Sequence, residues 1–244
     1  MLPNSVAATA VVLAFTLASA TSPAGALSFK TTTYRVGHSP NAVAAGDFNA
    51  DGRVDLAIAN SCADVDCLEN GVVKVLLGNG DGTFSPHHAY QSALNGSSTD
   101  ITAADFNGDG KLDIAVVNGG YSVKGDVSIL LGNGKGGFGS PMPSKPDGVP
   151  LFVVAGDFNG DGKMDMAVTL LADSVAVLLG NGDGTFQRAV TYPTEVSPQL
   201  VAVADLNADG NPDLVVVNSC GHSYGCKRGT VSVQIGRASC RERV

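Results

Sequence analysis

Basic residues are scarce. Fifteen Lys+Arg stand against 23 Asp+Glu, for a formal net charge of -8. That balance repels nucleic-acid phosphates and argues against a nucleic-acid partner. Long hydrophobic runs are also missing. The one uncharged apolar stretch, Val6 to Ala20, is short of the ~20 residues that a membrane span needs, and no second stretch replaces it. The 31 Gly and 11 Pro show no triplet period, which excludes collagen, and their scatter along the chain excludes a helical bundle. With 44% hydrophobic residues among 244, the chain is equipped for a packed core and is not disordered throughout. What remains is a turn-rich β protein.

The apolar stretch near the start is followed by two A-x-A sites, Ala18-Ser19-Ala20 and Ala24-Gly25-Ala26. Residues 1–26 therefore read as a cleaved secretory signal, although no Lys or Arg precedes the apolar run. The expectation is a secreted or extracytoplasmic chain with no transmembrane segment in its mature part. Calcium and disulfides are both available in such a compartment.

One unit recurs four times. GDFNADGRVDLAIAN from Gly46 returns as ADFNGDGKLDIAVVN from Ala104, GDFNGDGKMDMAVTL from Gly156 and ADLNADGNPDLVVVN from Ala204. A second element, LLGNGDGTF from Leu76, returns as LLGNGKGGF from Leu130 and LLGNGDGTF from Leu178. Successive leading aspartates are 58, 52 and 48 residues apart. Each unit predicts four strands: a run of small apolar residues before the first Asp, a second run after it (Leu56 to Ala59, Ile114 to Val117), an alternating third strand (Val73, Lys74, Val75) and a weaker fourth around Tyr90 or Tyr192. Four antiparallel strands in about 50 residues fit a β-propeller blade, and small side chains suit an innermost strand at a crowded axis. Solenoid repeats are usually shorter.

The spacing D-x-N-x-D-G-x-x-D occurs in every unit. Its members are Asp47, Asn49, Asp51 and Asp55; Asp105, Asn107, Asp109 and Asp113; Asp157, Asn159, Asp161 and Asp165; Asp205, Asn207, Asp209 and Asp213. Calcium takes 6–8 hard oxygen ligands, and a tight turn presents side chains at alternate positions. The residue after each Gly (Arg53, Lys111, Lys163, Asn211) is placed to offer a backbone carbonyl. The Gly itself is expected at positive φ. An EF-hand would need an acidic residue at position 12 and a following helix; Ile58, Val116, Val168 and Val216 stand there instead. Solvated turns without metal are the plain alternative, since Asp and Asn favour turns. Three carboxylates within nine residues repel one another unless a cation intervenes. The loops hold 12 of the 23 acidic residues, and four Ca²⁺ would offset eight of those charges.

These motifs resemble FG-GAP/VCBS repeats, the blades of integrin α-subunit-like propellers, over residues 29 to 233. The resemblance implies an all-β propeller with calcium loops between the first two strands of a blade, and usually about seven blades. Four recognisable repeats across 27–233 therefore predict an incomplete propeller. It also implies adhesion and ligand-binding proteins, lectins or accessory domains of secreted enzymes, a wide span of functions for one fold.

The chain departs from its own pattern at the end. Gln234 stands where the other units have Leu76, Leu130 and Leu178, and IGRASCRERV from Ile235 shows no counterpart in them. That string reads as one frame of a common sequencing adapter. The expectation is an artefact over 234–244 and a gene that continues. Phe29 to Gly46 aligns with Phe186 to Ala204, so the mature chain starts on an outer strand, and the segment Thr31 to Val36 should be exposed and able to pair with other chains.

Two cysteine pairs, Cys62 with Cys67 and Cys220 with Cys226, each follow an Asn-Ser in equivalent loops, so two local disulfides are expected. The string Gly221-His222-Ser223-Tyr224-Gly225 matches G-x-S-x-G, but no helix follows it, as a nucleophile elbow requires. Gly132, Gly134 and Gly137 match G-x-G-x-x-G in a hairpin turn, also without a helix. No catalytic residue is assigned. Loops after the second strands vary in length, and Tyr121, Lys124, His222, Tyr224, Lys227 and Arg228 are the ligand-face candidates there. The favoured function is a non-catalytic secreted binding or adhesion module for extracellular glycans or protein partners. The rival is the propeller of a secreted polysaccharide-degrading enzyme whose catalytic residues lie outside this chain.

Overall fold

The computed structural model describes residues 29–62, 71–92, 97–120, 123–219 and 229–236. Fifteen strands and no helix occupy them. The first sheet runs β1 (His38–Gly46), β2 (Asp55–Cys62), β3 (Val72–Gly78) and β4 (Phe84–Gln91). The second runs β5 (Ser97–Ala104), β6 (Asp113–Gly120), β7 (Val123–Leu130) and β8 (Met142–Ser144). The third runs β9 (Pro150–Gly156), β10 (Asp165–Leu170), β11 (Ser174–Leu178) and β12 (Val190–Pro193). The fourth has β13 (Pro198–Ala204), β14 (Asp213–Asn218) and β15 (Thr230–Gln234). Each sheet is an antiparallel meander in chain order. These are the expected propeller blades, numbered 1 to 4 by sheet.

The core lies between blades, because a strand presents alternate residues to opposite faces. On β6, Ile114 and Val116 pack towards blade 1, with Ala42, Ala44, Phe48, Val73 and Val75. Ala115 and Val117 on the same strand pack towards blade 3, with Val153, Met166, Val168 and Leu178. All four of these β6 residues are fully buried. A smaller third layer joins Ala167 and Val175 to Val201, Leu214 and Val216. The innermost strands stack in order, β1 on β5, β5 on β9 and β9 on β13. Ala42 and Ala44 on β1, Ala103 and Ala104 on β5, and Ala155 and Gly156 on β9 permit that approach, as their small size predicts.

Gln234 pairs with Leu214 at the end of β15. The amide of Gly236 donates to Asp213 Oδ1 at 2.7 Å, as Gly132 does to Asp113 at 2.7 Å and Gly180 to Asp165 at 2.8 Å. Ile235-Gly236 is therefore the counterpart of Leu131-Gly132, and the repeat runs further than its sequence suggests. The sequence hid this because Gln and Ile replaced two leucines while the backbone role stayed with the glycine. Residues 1–28 and 237–244, with their signal and adapter readings, lie outside the described residues.

Candidate metal sites

Each acidic loop joins the first two strands of its blade, and every loop lies at the same end of the meander. Its backbone curls around its own side chains. In blade 1, Asp51 N donates to Asp47 Oδ1 at 3.1 Å and Gly52 N to Asp47 Oδ2 at 2.7 Å. Asn49 Oδ1 accepts Asp51 N at 3.1 Å, and Asp51 Oδ1 accepts Arg53 N at 2.9 Å. The other loops repeat this. Asp105 accepts from Asp109 N and Gly110 N at 3.1 and 2.8 Å, Asp157 from Asp161 N and Gly162 N at 3.1 and 2.8 Å, and Asp205 from Asp209 N and Gly210 N at 3.2 and 2.9 Å. Asn107, Asn159 and Asn207 each accept the amide two residues on at 2.9 Å. Gly52 and Gly110 both take φ of 80°, as the turn demanded. Ala50 and Ala208 are forced to φ of 59° where the other two loops have Gly108 and Gly160.

The fourth aspartate of each motif behaves differently. Asp55, Asp113, Asp165 and Asp213 are fully buried. One oxygen accepts the amide inside the loop: Phe48, Phe106 and Phe158 N at 2.9 Å, and Leu206 N at 2.8 Å. The other accepts the amide ending the third strand, Gly78 N at 2.7 Å in blade 1 and its equivalents elsewhere. Burial raises the Asp55, Asp113 and Asp165 carboxyls above the ordinary value against the lowering effect of these two amides, and the first and third carboxylates of the loop push the same way. This side chain ties the acidic loop to the second loop of its blade. Each oxygen has one donor and retains acceptor capacity.

Four exposed acids, Asp81, Asp109, Asp183 and Asp209, are held low. Asp109 is lowered chiefly by its hydrogen bond with Lys111, whose Nζ lies 2.8 Å from Asp109 Oδ2. Asp209 is lowered by the backbone and side chain of Asn211. The Gly-Asn-Gly loops add Asp81 and Asp183, lowered by the hydroxyl and amide of Thr83 and Thr185. Arg53 and Lys163, reaching from the acidic loop, add a smaller favourable charge effect on Asp81 and Asp183.

Two features escaped the sequence reading. Phe48 and Phe106, second in their motifs, are about 1% exposed and wedge each loop into the blade interface. Their carbonyls accept Gly136 N at 2.9 Å and Gly184 N at 3.1 Å, from the second loop of the following blade. The signal was available: an aromatic residue inside an otherwise hydrophilic loop.

The donor set suits a hard cation: three carboxylates and one amide oxygen within nine residues, with at most one basic side chain to offset them. Among the described residues, no group of three His, Cys, Asp or Glu side chains converges closely enough to hold a metal as it stands. The first three side chains of each loop are instead turned onto the loop's own amides.

Of the ligand-face candidates, Tyr121, His222, Tyr224, Lys227 and Arg228 lie outside the described residues, as do Cys67, Cys220 and Cys226. Lys124 and Cys62 are placed by their backbones alone, on β7 and at the end of β2. Among the described residues no helix is long and apolar enough to cross a membrane.

A family model described as an FG-GAP-like repeat matches residues 59–116, 115–168 and 169–216. One described as an FG-GAP repeat matches residues 39–76. No curated protein matches the chain.

Proposed function

The chain belongs to the FG-GAP repeat family, and from that premise we propose that it is a secreted, calcium-braced, non-catalytic propeller module that binds extracellular glycans or protein partners. The observation that carries this reading is the fourfold recurrence of one acidic loop at one end of the sheets, each tied by a buried aspartate to its neighbouring loop. Asp47, Asn49, Asp51 and Asp55 and their equivalents would hold one Ca²⁺ per loop, with the carbonyls of Arg53, Lys111, Lys163 and Asn211. A bound cation would neutralise the carboxylates that now repel one another. Affinities of ~10⁻⁴–10⁻³ M are expected for an extracellular module.

With one end braced, the opposite end is free to vary. The longer connections, after β2 and β14, emerge there; β6 ends at Gly120 and β7 begins at Val123, so the long loop expected over 118–126 is mostly strand, and that connection is as short as the β10–β11 turn. Recognition by loops on a rigid scaffold is the usual division of labour. A glycan array probed with the purified chain in calcium, and again in EGTA, tests the reading. Calcium-dependent retention on a defined glycan class, reduced by Tyr121→Ala or Tyr224→Ala, would support it. Turnover of a polysaccharide by the same preparation would replace it with the enzyme reading.

A further inference from the structure

One outer-strand position breaks the pattern of the blades. It comes six residues after the phenylalanine of each second loop. Tyr90 holds it in blade 1 and Tyr192 in blade 3, paired with Val73 and Val175. In blade 2 the residue paired with the equivalent Val127 is Ser144. The first junction shows what the tyrosine does. The Tyr90 ring meets Phe138 of blade 2 edge-on, with ring centres 5.5 Å apart, and its hydroxyl donates to the Gly136 carbonyl at 3.3 Å. Tyr34 meets Phe84 edge-on in the same way at 5.8 Å.

Between blades 2 and 3 the partners of that ring are kept. Gly184 N donates to the Phe106 carbonyl at 3.1 Å, as Gly136 N does to Phe48 at 2.9 Å. Phe186 meets Phe106 at 5.7 Å, as Phe138 meets Phe48 at 5.5 Å. With a serine in the tyrosine's place, the space beside them is a cavity of about 300 Å³. Met142, Ser144 and Lys145 of blade 2 line one side; Gly184, Phe186 and Arg188 of blade 3 line the other. The Met142 methyl forms its floor, since a Cβ on Gly184 would stand 3.0 Å from Met142 Cε. The rim changes as well, because Lys145 and Arg188 take the positions of the neutral Gln91 and Ser140. Arg188 Nε lies 3.7 Å from Asp147 Oδ2, but both side chains are exposed and such a pair holds the guanidinium only weakly.

We propose that this cavity between blades 2 and 3 is a binding site for a tyrosine side chain in an acidic segment of a partner protein. The phenol enters the space that Tyr90 fills one junction earlier, with its ring against Phe186 and its hydroxyl donating to the Gly184 carbonyl. Both walls are already fixed by the blade packing, so binding orders little of this chain. Lys145 and Arg188 are positive charges at the rim of a chain whose net charge is -8. They attract acidic residues flanking the tyrosine, which the rest of the surface repels. The site is apart from the loops after β2 and β14 and does not depend on what those loops bind.

The test is titration of the full chain, carrying methyl-labelled methionine, with the peptide acetyl-Glu-Tyr-Glu-amide, followed by NMR. The ring current of the bound tyrosine should shift the Met142 methyl in a saturable way, with Met164 and Met166 as references. Phenylalanine in place of the peptide's tyrosine should weaken binding about fivefold, through loss of one hydrogen bond. Alanine there should abolish it. The double substitution Lys145→Glu, Arg188→Glu should weaken binding about tenfold or more, and both side chains are exposed, so the fold should stand. Ser144→Tyr should fill the cavity from within, raise the melting temperature by about 2 °C or more and abolish binding. Circular dichroism checks both variants. A Met142 methyl unmoved by millimolar peptide overturns the proposal, as does an equal shift with the alanine peptide or binding that survives Ser144→Tyr. Glucuronic acid moving the same methyl as strongly as the peptide would make the cavity a sugar-acid site, and would also overturn it.

Discussion

Blade 2 and blade 4 share one repeat but not one environment. Both sides of blade 2 are covered, and every residue from Asp113 to Val117 is buried. In blade 4, Val217 on the corresponding strand is 44% exposed and Val231 on the next is 59%. The alternating pattern is the same; neighbours alone decide which positions reach full burial. A blade of this family is therefore not a stability unit. It supplies half of each of two cores, as stacked repeats do.

Equivalent substitutions in the two blades should separate accordingly. The largest effect is expected at the glycine that closes the third strand. A Cβ at Gly132 would collide with the Leu112 carbonyl and displace the amide that Asp113 binds. Gly132→Ala should lower stability by about 3 kcal/mol or more. Gly236→Ala meets a like collision with the Pro212 carbonyl, but at a strand paired on one side only among the described residues, where the backbone can yield, so it should cost less, read by urea denaturation of both variants. Next, Ile129→Ala removes a fully packed side chain and should cost ~2–5 kcal/mol. Val233→Ala should stay within about 0.5 kcal/mol. Equal losses at these paired sites would break the comparison.

The pH response distinguishes the two classes of aspartate. Asp55, Asp113 and Asp165 bind protons more tightly when folded, because burial raises them. In calcium-free buffer they should add stability as pH falls from their raised values towards the ordinary carboxylate value. Asp81, Asp109, Asp183 and Asp209 are lowered, so their contribution is held above the ordinary value and lost as pH falls through their own. From these shifts the metal-free melting temperature should peak near the ordinary carboxylate value, and calcium should move the peak towards neutrality. The smallest effect belongs to the turn itself. Ala50→Gly and Ala208→Gly relieve a positive φ and should each stabilise by about 1 kcal/mol, visible as a higher melting temperature.

The fold was legible because its signals are local and repeated. Alternation at Val73 and Val75, small residues at Ala42 and Ala44, and the glycine at position 52 each report their own surroundings. Cross-blade roles were not legible. Nothing local to Phe48 says that its carbonyl meets Gly136, 88 residues away. Asp55 looked like a fourth equal ligand, since spacing does not record that its two oxygens bind amides on different loops. The family matches run from the second strand of one blade to the second strand of the next, at 59–116 and 115–168, so the sequence repeat and the sheet are out of phase. The loops that would choose a ligand gave residue types and lengths only.

We propose that calcium braces the four acidic loops. Direct titration of the metal-free chain with Ca²⁺, followed by calorimetry and by melting temperature, tests it most plainly. The account predicts about four ions per chain, a melting temperature that rises with calcium and falls in EGTA, and about three ions after Asp109→Ala. Absence of saturable calcium binding, or an identical melt in EGTA and in millimolar calcium, would contradict it.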